Sequence, residues 1–332
     1  MRSLLTPRRQ EILGWLGVSV SVLFSGIWGF WGSVENFFEG WWFTSLWKDL
    51  AVMFGRYLAP MIVVVAASAI ALRWRRSALP VFGLAIAIAL FSHPNAAGVI
   101  LIAIPLLILG ILFHFGSPHP RVWALRAVIC LPILTAVVCG VYPGWRAVNR
   151  YDDGNHGMRL VVGNGVELVW APEGPGWPSH YASWWQAQHV CTCLSADGRS
   201  ISSKPQDLWR LPTIDEAVRS MVYRGRNAGG TWDPARDRAR YRVTPNKDSP
   251  LWNPHSPVIY WWTSSEFGRN KAFRIAYNGN VAAFVKRGWG NYWAYRCVSE
   301  PPGQATLPTR SDMTGGRVGD ARFLATSPLS IW

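Results

Sequence analysis

The run ILGWLGVSVSVLFSGIWGFWG, Ile12–Gly32, holds no charged side chain and decides the fold class of the first half of the chain. A helix of that length crosses the roughly 30 Å of bilayer hydrocarbon, whereas a soluble surface helix would show a polar stripe. Arg2, Arg8 and Arg9 precede it. It is too long for the apolar core of a cleavable signal, and no small-residue cleavage site follows it, so the sequence predicts an uncleaved anchor.

Working outward, Ala51–Leu72 is a second apolar run, with Arg56 near one end where its side chain reaches the interface. Leu79–Ser92, Gly98–Phe115 and Val122–Tyr142 follow. Leu79–Ser92 is short for a crossing and reads as a thinned span or a re-entrant piece. The expectation is an all-α membrane region over residues 1–145 with about five transmembrane helices. Five crossings put Arg2, Arg8 and Arg9, then Arg73, Arg75 and Arg76, then Arg121 and Arg126 on one side, as the positive-inside rule requires. The connections carrying Glu35, Glu39, Lys48 and Asp49 fall on the other side. Dropping Leu79–Ser92 would strand Arg121 outside. The N-terminus is therefore expected in the cytoplasm and the C-terminal part outside it, with Arg146 and Arg150 running against that assignment. Val34–Leu50, rich in Trp and Phe around those charges, suits a segment lying among lipid headgroups. Gly14, Gly17, Ser21 and Ser25 form a small-residue stripe through which a membrane-protein partner would pack. No intramembrane acid or His pair marks an ion pathway.

Composition bounds the rest. With 50% hydrophobic and 16% charged residues the chain is not an intrinsically disordered one. Five Cys are too few for a disulfide scaffold, and the C-x₂-C spacing of a structural zinc site is missing. The net charge of +14 leaves anionic lipid or acidic glycan as partners, while nucleic acid lacks an accompanying motif.

From Arg146 the apolar runs stop and turn residues multiply, which delimits a second domain, 146–300, and a tail, 301–332, expected to be flexible. Arg159–Trp170 reads as a hairpin about Gly163-Asn164-Gly165. Ala182–Leu194 has helical spacing with Ser183 as a cap. Thr213-Ile214-Asp215-Glu216 fits a capping box and starts a helix expected to end near Arg224, with Gly225 as its stop. Arg226–Pro257 reads as a long irregular loop. Val258–Ser264, Ala272–Tyr277, Val281–Lys286 and Tyr295–Ser299 read as strands. The result is an α+β domain.

Four elements occur in a telling order: Ala187-x₃-Cys191-x₂-Leu194, Trp209-Arg210-Leu211-Pro212-Thr213-x₂-Glu216, Tyr260-Trp261-Trp262-Thr263-Ser264-Ser265 and Tyr295-Arg296-Cys297-Val298. Over residues 160–299 the chain resembles the bacterial Lcl C-terminal-domain family, related to the formylglycine-generating-enzyme and C-type-lectin-like folds. The resemblance implies a C-type-lectin-like fold and an envelope-associated module that binds a glycan or a protein without catalysis. It implies a Cys191–Cys297 disulfide, with Cys193 as the alternative partner. The paired redox cysteines of the formylglycine-generating oxidases are missing near Cys297, as are the lectin calcium motifs. Neither a cofactor nor a catalytic set is therefore expected. A metal set of His189, Cys191 and Cys193 fails because positions 191 and 193 point about 200° apart on a helix.

Candidate ligand residues are Trp289, Asn291, Tyr292 and Trp293 on a Gly-flanked aromatic tip. Trp262 joins them because strand alternation turns either Trp261 or Trp262 outward. Asp237 and Arg238 join from the mixed-charge loop. The leading expectation is a multi-pass protein of the bacterial inner membrane that displays a recognition module. The other readings are a structural subunit of a membrane complex, and an oxidoreductase or hydrolase related to the formylglycine-generating enzymes. Reporter fusions test the topology: a fusion after Trp332 should be active only in its extracytoplasmic form, and one after His119 only in its cytoplasmic form.

Overall fold

The computed structural model describes residues 6–92, 96–287 and 293–301, and the chain divides into two compact units, Met1–Asn149 and Arg150–Trp332. The first unit is helical: α1 Pro7–Glu39, α2 Leu46–Val52, a π-helical turn Met53–Tyr57, α3 Ala59–Arg73 and α4 Ala78–Ser92. The single turn α5 Ala96–Gly98 then leads through the π-helical turn Val99–Ala103 into α6 Ile104–Phe115, and α7 Arg121–Val148 closes the unit.

Among the described residues two helices, α1 and α7, are long and apolar enough to cross a membrane. A third crossing is present if Leu46–Tyr57 and Ala59–Arg73, bent by 62° where they meet, count as one. The expected five or so transmembrane helices, with Leu79–Ser92 already short, are thus corrected to two or three candidate spans among the described residues. The run Ala51–Leu72 is broken because Pro60, in the first turn of α3, has no N–H to continue a helix, and the π-helical turn before it widens the backbone. α4 spans 15 residues and rises only about 22 Å. The segment Val99–Phe115 is also below span length. α1, by contrast, runs beyond its apolar stretch, so Phe37 belongs to a helix that packs on Gly140 and Gly144 of α7 rather than to an interfacial segment.

The small residues of α1 explain its central place. Gly14, Gly17, Ser21, Ser25, Gly29, Gly32 and Ser33 are all buried. A Cβ on Gly14 would lie 2.3 Å from the Pro118 nitrogen, and one on Gly32 2.3 Å from the Tyr57 carbonyl oxygen. The Ser21 and Ser68 hydroxyls are hydrogen-bonded at 2.7 Å, joining α1 to α3. The stripe expected to serve a partner is therefore consumed inside the chain, where small side chains let backbones approach.

α4 and α6 form an antiparallel hairpin in which Phe82 stacks on Phe113, ring centroids 6.1 Å apart. Arg75, just before α4, donates to the His114 carbonyl at 2.8 Å and to that of Phe115, and lies 3.4 Å from the Gln10 side-chain oxygen. Ser117 donates from its backbone to Gln10 at 2.7 Å. These contacts gather the start of α1, the α3–α4 turn and the α6–α7 turn at one end of the unit.

The second unit is α+β. The hairpin β1 (Arg159–Val162) and β2 (Glu167–Trp170) is joined by the last strand, β10 (Val298–Ser299), which pairs antiparallel with β2. The helices α8 (Trp184–Cys193) and α9 (Ile214–Ser220) both begin at capping boxes, Ser183 with Gln186 and Thr213 with Glu216. Two small hairpins follow, β3 (Val222–Tyr223) with β4 (Arg226–Asn227) and β5 (Thr231–Asp233) with β6 (Arg238–Arg240). An antiparallel sheet of β7 (Tyr260–Phe267), β8 (Lys271–Ala276) and β9 (Val281–Val285) completes the unit.

Three expectations need correction. α9 stops at Ser220, because Arg224 (φ 49°) and Gly225 (φ 72°) form the left-handed turn of the β3–β4 hairpin instead of a helix stop. The region 226–257 is not all irregular, since it holds β4, β5 and β6. Trp261 and Trp262 are both buried, at 1% and 0% exposure, because the sheet is covered on both faces. Trp261 stacks on Trp252 at 3.7 Å, and Trp262 packs with Trp184, Ala187 and Cys191 of α8.

Cys191 and Cys297 are disulfide-bonded with Cα atoms 5.5 Å apart across 106 residues, and Cys193 is free and buried. The expected tail falls largely on residues 302–332, outside the described residues. The close α1 packing makes a paired test. Gly14→Leu should cost about 1–3 kcal/mol in thermal unfolding of the detergent-solubilised chain. Gly83→Ala, where a Cβ meets nothing within 4 Å, should be neutral or slightly stabilising.

Candidate functional site

The residues that carry the family resemblance are framework. Arg210 makes two 2.7 Å bonds to the Glu216 carboxylate and one of 2.6 Å to Glu300, tying the start of α9 to the end of the domain. Its backbone exchanges two bonds with Val298. Glu216 in turn accepts from the Thr213 backbone at 2.7 Å. Burial pushes the Glu216 carboxyl up, but the Arg210 guanidinium and the Thr213 donors outweigh it and hold the group below the usual carboxylate range. The Trp262 indole donates to Ala182 at 3.0 Å, and the Trp184 indole to Thr263 at 2.7 Å. Arg296, fully buried, donates to the carbonyls of Ala171, Pro250 and Leu251 and lies 3.5 Å over the Trp177 ring.

The sequence-derived ligand residues separate into different places. Trp262 is core and is unavailable to a ligand. Trp289, Asn291 and Tyr292 lie outside the described residues. Trp293 is half-buried in a cluster with Tyr260 and Phe284 that encloses the Arg274 guanidinium, 3.6 Å from the Tyr260 ring and 4.2 Å from the other two. Arg274 lies beside Tyr260 and Trp262 on one sheet face, and strand alternation sends its neighbour Phe273 to the opposite face. There Phe273 receives Trp232 of β5, centroids 5.5 Å apart. The β5–β6 hairpin and the cluster of Tyr260, Phe284 and Trp293 thus address opposite faces of this sheet.

Asp237 and Arg238 instead line a polar cleft of about 270 Å³ with Ala239, Tyr241 and the β8–β9 turn, Asn278 to Val281. Two hairpins build it. The Tyr241 hydroxyl donates to the Gly279 carbonyl at 3.1 Å and pins one hairpin to the other. Burial pushes that hydroxyl's pKa up, so it stays a donor. Gly279 is required twice: its φ is 82°, and a Cβ there would lie 2.4 Å from the Tyr241 ring. Among the described residues neither the Asp237 carboxylate nor the Arg238 guanidinium has a hydrogen-bond or ion-pair partner within the protein. The cleft therefore presents an acceptor and a cation side by side. Sequence reading named Asp237 and Arg238 but missed Tyr241, Asn278 and Asn280. The turn chemistry of Asn278-Gly279-Asn280 was legible, and its meeting with the other hairpin was not.

Two further polar groupings bear on chemistry. His156 lies 3.0 Å from Glu173 and 3.8 Å from Asp152, and His255 lies 3.6 Å from Asp152. The Ser249 hydroxyl donates to Asp152 at 3.0 Å. Among the described residues no three His, Cys, Asp or Glu side chains are arranged to hold a metal ion. The Cys193 sulfur sits 4.0 Å from both ring nitrogens of His189, so neither nitrogen is aimed at it as a base would be. No protein family, curated protein or solved structure matches the chain.

The Arg210–Glu216 pair fixes an acid dependence. A carboxyl held low contributes its full stability above the 4.5 of an unpaired glutamate and loses it as pH falls through its lowered folded value. Glu216→Gln keeps the cap shape and removes the charge. It should lower stability by about 2 kcal/mol near neutrality. The difference from wild type should shrink in denaturation curves recorded as pH falls below that range.

Proposed function

We propose that the chain is a membrane-anchored recognition protein whose second unit binds an envelope glycan outside the cytoplasm, without covalent chemistry. The polar cleft between the β5–β6 hairpin and the β8–β9 turn carries this reading. Unpartnered Asp237 and Arg238, flanked by Asn278 and Asn280, supply the acceptor and donors that sugar hydroxyls need, in a recess small enough to orient one ring. The resemblance to the Lcl C-terminal-domain family and its C-type-lectin-like fold agrees with this. The capped helices, the Cys191–Cys297 bond and the paired first and last strands are consistent support.

The placement in a bacterial inner membrane, N-terminus in the cytoplasm, draws support from the first unit. Arg75 and the residues it binds put the basic clusters near one end, as the positive-inside rule asks of a cytoplasmic face. The antiparallel α4–α6 hairpin returns to the side it left, whether or not it crosses fully. With α1, the bent pair and α7 as crossings, the second unit begins opposite the N-terminus. The alternative, a structural subunit assembled through α1, loses its main support because that helix's small-residue face is packed internally.

Titration of the purified full chain with fragments of bacterial envelope polysaccharides, followed by calorimetry, tests the reading. Asp237→Ala and Arg238→Ala should each weaken binding about tenfold, the ~1.4 kcal/mol scale of one charged hydrogen bond, at unchanged thermal stability. Arg226→Ala, away from the cleft, should bind as wild type. Equal binding by wild type and both cleft variants would exclude this site.

A further inference from the structure

The β7–β8–β9 sheet has two edges. Along β7 the outer edge meets Ala294, which pairs with Trp261, and the Trp262 N–H donates to the Ala294 carbonyl at 2.9 Å. β9 forms the other edge. Two bonds that flank β9 fix which way its backbone groups point. The Asn280 carbonyl accepts from Ala276 at 2.8 Å, and the Lys286 N–H donates to Asn270 at 2.9 Å. Antiparallel pairs alternate along a ladder, so the even-numbered residues turn their backbone groups toward β8. Val281, Ala283 and Val285 turn theirs outward. Among the described residues none of these outward N–H and C=O groups makes a hydrogen bond.

Such a row of groups is a template for another strand. A helix spends its backbone groups on itself, so only an extended chain matches the two-residue repeat of about 6.8 Å. Proteins shield open edges with charged side chains, proline, a bulge or a very short strand. β9, Val-Ala-Ala-Phe-Val, has neither charge nor proline, and its register with β8 is unbroken over all five residues. The strand is also complementary to itself. An antiparallel copy laid across a two-fold axis at Ala283 sets Val281 against Val285 at both ends and Ala283 against Ala283 between them. Each facing pair then exchanges two hydrogen bonds, and every outward group is used. On the other face Ala282 meets Phe284, small against large. Sliding the copy by two residues either way leaves an outward pair unmade. No charges oppose each other within the strands, and Lys286, at the margin, is held by Glu266 of its own copy.

We propose that β9 is the interface of a homodimer, in which two copies join their three-stranded sheets into one across a two-fold axis at Ala283. The pairing rests on backbone geometry and not on the glycan reading. Its consequence for that reading is bivalence. Each Val281 lines its own cleft, and the two lie about 14 Å apart along the paired strands.

Native mass spectrometry of the full chain, at micromolar concentration in mild detergent, tests this. Wild type should be dimeric. Ala283→Lys and Ala283→Glu each set like charges face to face on the axis and should cut the dimer fraction about fivefold or more, at unchanged circular dichroism. An equal mixture of the two variants should restore the dimer, because lysine then faces glutamate. Neither misfolding nor contact through a different surface would produce that recovery. A monomeric wild type would overturn the proposal, including one whose β9 accepts a strand from another protein. So would a dimer that both single variants retain, since another surface would then hold it. Loss in both variants without recovery in the mixture would likewise overturn pairing at Ala283.

Discussion

Backbone carbonyls that water cannot reach must find donors within the chain, and arginine and lysine meet that requirement in both units. Arg75 holds the last carbonyls of α6. Arg296 bridges Ala171 to Pro250 and Leu251, joining loops far apart in sequence. Lys247, almost wholly buried, donates to the Ser256 carbonyl, and burial with nearby Arg150 holds its amine well below its ordinary value. Lys286 reaches the Arg269 carbonyl while its charge is met by Glu266 at 2.5 Å. Irregular segments carry no ladder of their own, and Arg75 and Arg296 each meet more than one of their carbonyls at once. Part of the +14 net charge is therefore internal scaffolding and does not mark an anionic partner.

The same division explains what was legible in the sequence. Capping boxes are local, and Ser183 and Thr213 were readable because donor and acceptor lie three residues apart. Apolar runs were readable as helices, but their continuity was not. The bend before Pro60 and the onward run of α1 through Glu39 depend on packing against Tyr57 and α7. The alternation that sent one of Trp261 and Trp262 outward holds only for a sheet with a bare face, and Trp252 arrives from a loop to cover this one. Arg224 and Gly225 stopped a helix on paper and turned a hairpin in the fold, because Val222 is buried as a strand residue.

Sites were harder to read than framework for a related reason. The Trp-Arg-Leu-Pro-Thr-x-x-Glu element is conspicuous because each member holds another: Arg210 with Glu216, Thr213 with the helix start, Trp209 with the Ser195 carbonyl. Asp237, Arg238, Asn278 and Asn280 stand in two hairpins, Tyr241 and Gly279 being 38 positions apart in sequence, and only tertiary contact makes them one cleft. A sequence element advertises what it binds within its own chain, whereas groups kept for a ligand leave no mutual spacing to detect.

The pairing of β10 with β2 also sets the order in which the domain is made. Trp170, Cys191 and Arg210 all take partners from Cys297 and Val298, near the end of the domain. An emerging chain can form its capped helices and hairpins as they appear, but it cannot close the core until those residues have been delivered. Throughout that interval the Trp-rich interior is exposed and two thiols on α8, Cys191 and Cys193, are open to mispairing. Closure of the core is thereby tied to the arrival of Cys297 and Val298, and a chain cut before Cys297 would lack the disulfide and the β2–β10 pairing together.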